Sequence, residues 1–186
     1  FRAALASMED VPLGIAASCL FTVLIQSSSA ATGVIITISQ QGLLTPKAGL
    51  ALILGANIGT CGTACLASIG KKKETVQVAL AYLLFKLIGV ALTVAAMQTF
   101  IDIVLDRTLP SEQGVLRRGE TRKETEWAAA GPQVLANAHT LFNVLLAALL
   151  LPFTSQIADL VEWAVVKLPG YSGASTTVAK KGSKQK

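Results

Sequence analysis

Charge is what this sequence has least of. Only 15% of its 186 residues are Asp, Glu, Lys or Arg, against 52% hydrophobic residues, and the mean hydropathy is +0.58. A soluble domain carries about 25% charged residues, so the deficit argues against a fully water-exposed fold and for lipid. Cysteine is sparse as well: Cys19, Cys61 and Cys65, all in apolar surroundings. No His, Asp or Glu lies near them in sequence to complete a metal set, and nothing suggests a disulfide framework. Cys61 and Cys65 are four apart, share a helical face and read as small packing residues. Aromatic residues make up 5% and do not alternate with the basic ones, so a net charge of +5 does not describe a nucleic-acid surface. Basic clusters at Lys71–Lys73, between Arg107 and Glu126 and from Lys180 onward fit juxtamembrane positions that set orientation or touch anionic lipid. There is one histidine, His139, with no acid in its apolar run, and no Gly-x-Ser-x-Gly around the serines. A serine nucleophile would have no base, so intramembrane hydrolysis is rejected and the chain reads as not an enzyme. No cofactor is called for.

Long charge-free runs are what the sequence does have: Val11–Pro46, Ala48–Gly70, Leu87–Ile101 and Trp127–Ala158. A spanning helix needs roughly 20 apolar residues, so several segments qualify and the fold class is an all-α integral membrane protein. Residues 1–10 form a polar opening segment. Residues 11–70 are an apolar region broken twice, by QSSSAATG (Gln26–Gly33) and by GANIGTCGT (Gly55–Thr63). Thr45 followed by Pro46 signals a helix start, with Thr as N-cap and Pro in the first turn, and Gly70 ends that element. Residues 71–105 read as one tilted transmembrane helix, 106–133 as a charged loop outside the bilayer, and 134–168 as transmembrane or interfacial helix that Pro152 kinks or ends. Residues 169–186 have the composition of a disordered basic tail. One internal echo is visible, Ala81–Lys86 (AYLLFK) against Ala138–Asn143 (AHTLFN).

The polar breaks carry the chemistry. Lipid satisfies no backbone hydrogen bond, so a broken helix at membrane depth persists only inside protein or beside a watery cavity, and polar residues there are costly. Gln26 and the hydroxyls of Ser27, Ser28 and Ser29 both donate and accept, while GANIGT adds Asn57, Thr60 and glycines that would let backbone approach a ligand. Such an uncharged site can hold a cation through oxygens, or an anion through N–H and O–H donors at half-helix N-termini. The alternative is that Ser, Thr and Gly are ordinary membrane packing residues.

QSSSAATG, then GLLTPKAGLALILGANIGT, then ANAHTLFN closely resemble the type II sodium/phosphate cotransporter family, nearer to its bacterial members, over most of Val11 to Phe153. The resemblance implies two inverted repeats, each with a re-entrant helical hairpin carrying QSSS, and uptake of inorganic phosphate coupled to sodium. It implies that Ser27, Ser28 and Ser29 bind phosphate, that Gln26, Asn57 and Thr60 are placed for sodium, and that Asn143 supports the site. Only one QSSS is present, so the chain is expected to be one half of an inverted-repeat transporter, completed by a second repeat or by a homodimer. A non-transporting assembly partner is the alternative. Where the related pattern reads His, two apolar residues, Phe, Asn, this chain has Tyr82 and Lys86, leaving Lys86 either as a fixed charge facing phosphate or as a snorkelling side chain. His139 is expected to pack or, in the alternative, to confer pH sensitivity. The expected location is the plasma membrane, with lipid, sodium and phosphate as partners.

Overall fold

The computed structural model describes residues 2–108 and 120–167, all of the regular structure there being helical. A short helix α1 (Arg2–Ala6) and one 3-10 turn (Ser7–Glu9) lead into α2 (Val11–Ile25) and α3 (Ser28–Gln40). Next come α4 (Pro46–Gly59), α5 (Cys61–Ser68), α6 (Lys73–Ala95) and α7 (Met97–Thr108). Then follow α8 (Glu120–Leu150), a 3-10 turn (Leu151–Phe153) and α9 (Thr154–Val166). Three stretches are long and apolar enough to cross a membrane, Pro46–Ser68, Lys73–Ala95 and Ala130–Val166. The protein is a helical membrane protein.

Local chemistry sets the first boundaries. Asp10 caps α2, its carboxylate accepting from the Leu13 N–H at 2.9 Å. Thr45 caps α4 through a 3.2 Å bond from the Ala48 N–H, with Pro46 in the first turn, as the Thr-Pro pair predicts. The first break is narrower than Gln26–Gly33. It is confined to Gln26, which sits in the left-handed region at φ 57°, and Ser27, which is extended and caps α3. The chain is helical again from Ser28, because Ser27 supplies the acceptor that the Ala30 N–H needs.

Contacts at glycine fix the topology. A Cβ on Gly55 would lie 2.3 Å from the Ile15 carbonyl oxygen and 2.9 Å from Ser18 Cβ. On Gly59 it would lie 2.6 Å from the Cys19 carbonyl oxygen and 2.6 Å from Thr22 Cβ, and on Gly62 2.7 Å from a Val23 methyl. Contacts rise together along both helices, so α2 and the α4–α5 stretch run parallel with their backbones nearly touching. The connecting helix α3 therefore has to run back, antiparallel to both. At its far end a Cβ on Gly131 would meet Ser39 Oγ at 2.6 Å, and the Trp127 indole N–H donates to the Leu44 carbonyl. The core around α4 is continuous: Ile53 and Leu54 are fully buried, and Leu135 and Phe142 of α8 nearly so.

The structure corrects several boundaries. The break expected over GANIGTCGT is confined to Thr60: α4 continues to Gly59 and α5 resumes at Cys61. The helix expected over 71–105 is two, parted at Ala96 (φ −110°, ψ 27°). No proline or glycine marks that place. The cause is packing, since Phe100 and Val104 of α7 are buried in the cluster that also holds Leu50, Trp127 and Leu135. The loop expected over 106–133 is helical from Glu120 onward, with Pro132 inside α8. Charge excludes a span and not a helix, and Glu, Lys and Arg are good helix formers. The disordered tail expected over 169–186 lies outside the described residues. The α9 segment packs Ile157, Val161 and Val165 against α6, and Lys73 pairs with Glu162 at 3.1 Å.

Candidate functional site

Two polar groups stand out, one at the α2–α3 break and one inside the bundle. At the break, Gln26 is exposed, Ser27 and Ser28 are half-buried and Ser29 is exposed. Ser27 Oγ accepts from the Ala30 N–H at 3.2 Å, so one of the three hydroxyls already has a structural duty. The first N–H groups of a helix have no partner within it, and the helix dipole places partial positive charge there. The start of α3 thus offers amides and hydroxyls together, a donor set suited to an oxyanion.

Gln26 is the one non-glycine residue with positive φ among the described residues. That conformation costs a residue with a side chain on the order of 1 kcal/mol or more. Gln26→Gly is therefore expected to hold or raise the thermal midpoint of the purified protein. A fall in the midpoint would make the Gln26 side chain a packing residue.

Inside the bundle, Lys86 of α6 is 9% exposed. Its ammonium donates to Asn57 Oδ1 at 3.0 Å and to Asn143 Oδ1. Both amide nitrogens turn outward onto their own helices: Asn57 Nδ2 donates to the Ile53 carbonyl at 3.0 Å and Asn143 Nδ2 to the His139 carbonyl at 2.8 Å. Asn57, Lys86 and Asn143 thus form one buried cluster joining α4, α6 and α8. The echoed segments AYLLFK and AHTLFN end on the two residues that bond each other. His139 contributes its backbone carbonyl one turn before Asn143.

The snorkelling alternative for Lys86 is not what the structure shows. Its ammonium is engaged by Asn57 and Asn143, and the nearer end of α6, at Ala95, is about 14 Å away at 1.5 Å per residue, farther than a lysine stem reaches. Thr60 is half-buried and its Oγ1 donates to the Ala56 carbonyl at 2.9 Å. The glycines of GANIGT face α2 and not an open site.

Along the α2–α4 seam the break lies beyond the cluster: Thr22 meets Gly59, Gln26 follows Thr22 by four residues, about 6 Å, and Asn57 precedes Gly59 by two, about 3 Å. Leu135 contacts the Gly49 position and Asn143 reaches Asn57 through Lys86, so α8 runs parallel to α4 and antiparallel to α3. No hydrogen bond joins the serines to the Lys86 cluster among the described residues.

Sequence reasoning missed Ser18 and Thr22. Both are buried with their hydroxyls unpartnered among the described residues, and they lie against Gly55 and Gly59. Their four-residue spacing, matched by glycines four apart in GANIG, was the available signal.

A family model described as Na+/Pi-cotransporter matches residues 1–106. An uncharacterized protein, YqeW of Bacillus subtilis, is 28% identical over 144 residues, 77% of this chain and 40% of its own length. Human sodium-dependent phosphate transport protein 2B is 39% identical over 70 residues, 36% of this chain and 10% of its own. The putative inorganic phosphate export protein YjbB of Salmonella typhimurium is 28% identical over 107 residues, 58% of this chain and 20% of its own. The chain therefore spans less than half the length of these relatives. No solved structure matches it.

Proposed function

We propose, from the premise that this chain belongs to the Na+/Pi-cotransporter family, that it moves inorganic phosphate across a membrane, coupled to sodium. The observation that carries the reading is the start of α3, where a two-residue break sets Ser27, Ser28 and Ser29 beside free helix N–H donors. Phosphate takes the hydroxyls and backbone amides of Ser28 and Ser29, the Ala30 amide being held by the Ser27 cap. Ser27 keeps its capping bond and contributes through its remaining hydrogen-bonding capacity.

Sodium falls to oxygens: the Gln26 amide, the Thr60 hydroxyl, whose lone pairs are left by its bond to Ala56, and nearby carbonyls. Asn57, placed for sodium by the resemblance, presents its oxygen to Lys86 instead. Asn143 supports the site by holding the same ammonium. The α2–α3 pair acts as a re-entrant hairpin: α2 has 15 residues and α3 has 13, each short of the roughly 20 a crossing needs, and α3 runs back beside α2. The second half of the site comes from an inverted repeat or a second copy of the chain, in the plasma membrane.

The alternative is a non-transporting partner of such a carrier, favoured by the ammonium that occupies Asn57 and Asn143. Equilibrium binding of radiolabelled phosphate to the purified protein separates the two. The carrier reading predicts saturable binding that weakens at least tenfold when choline replaces sodium. Absence of binding in both salts would favour the partner reading.

A further inference from the structure

Lys86 is held by amide oxygens and not by carboxylates. The orientation of both amides is fixed by their own helices, since each nitrogen is spent on the carbonyl four residues earlier, leaving the two oxygens converging on one point. Around the same point stand two ring faces, Phe142 at 5.5 Å and Tyr82 at 5.9 Å from the ammonium. Carbonyl oxygens and aromatic faces both attract a positive charge and offer nothing to an anion. The geometry is that of a seat for one monovalent cation, built from three helices at mid-depth.

We propose that this is a cation seat in which the Lys86 ammonium takes the place of one sodium ion. The inference rests on the carrier reading and deepens it. The protein brings one positive charge to the site covalently, so it needs one fewer sodium per phosphate than a form with a neutral side chain at position 86. A bound sodium must enter and leave in each cycle, whereas the tethered ammonium stays. Coupling to the sodium gradient is weakened accordingly.

The test counts sodium directly and needs no phosphate. Sodium-22 bound per chain is measured by scintillation proximity on the purified protein and on Lys86→Met, Lys86→Asn and Lys86→Arg. The two neutral variants are expected to bind one sodium more than the native protein, and Lys86→Arg no more than native. A neutral variant that elutes as a single folded species and gains no sodium overturns the proposal. A second arm adds Asn57→Ala to Lys86→Met. The extra sodium gained by Lys86→Met is expected to weaken at least tenfold or vanish, and its undiminished retention would overturn the proposal. Phosphate binding, followed separately, decides the carrier reading: its absence would refute that reading without moving the sodium counts.

Discussion

Gly55→Leu is expected to leave little folded protein in the membrane. Even the first carbon of a side chain at Gly55 would stand 2.3 Å from the Ile15 carbonyl oxygen, well inside contact distance, and the obstruction is backbone that cannot swing aside. Overpacking a core costs about 1–3 kcal/mol, occasionally more. Here α2 would have to move off α4, breaking contact at Gly59 and Gly62 as well. The loss extends beyond one residue, because the α2–α3 break is positioned by that seam. Gly33→Ala is the control. Nothing lies within 4 Å of a Cβ there, and alanine favours a helix interior over glycine by up to about 1 kcal/mol. Membrane abundance and detergent melting curves read both: Gly33→Ala at or above native, Gly55→Leu near background. Native stability in Gly55→Leu would mean that the close parallel packing of α2 on α4 is wrong.

Ser28→Ala and Ser29→Ala are expected to lower phosphate uptake about 10- to 100-fold at unchanged abundance. A hydrogen bond to a charged group is worth about 1.5–3 kcal/mol, and each 1.4 kcal/mol is a factor of ten. Ser27→Ala mixes two losses, since that hydroxyl also caps α3 and removing a cap costs about 1 kcal/mol. Ser27→Asn preserves the cap and isolates the ligand role. Uptake by the Ser28 and Ser29 variants within twofold of native would remove those serines from the phosphate site.

Where the sequence was read well, one local interaction decided the outcome. Thr45-Pro46 starts a helix because cap and proline act within one turn, and QSSS marks a break because the Ser27 hydroxyl caps the helix that follows it. The reading failed where distant residues decided. Ala96 has no local signal, and α7 turns there because Phe100 and Val104 find a core with Trp127 and Leu135. Glu120–Lys123 looked like loop because charge reports exposure and says little about backbone shape. The glycines of GANIGT were placed against a ligand, yet they meet Ile15, Cys19 and Thr22; glycine spacing predicts a close approach without saying to what. Lys86 could be flagged as out of place in an apolar helix. That Asn57 and Asn143 would both turn an oxygen to it required three helices to be docked.

Radiolabelled phosphate uptake into vesicles containing the protein, with sodium or choline outside and Ser28→Ala as the paired control, tests the central claim most directly. The account predicts uptake in sodium, a collapse to near background in choline, and a comparable collapse in Ser28→Ala with sodium present. Equal uptake in sodium and choline, or none in either with folded protein in the vesicles, would contradict it.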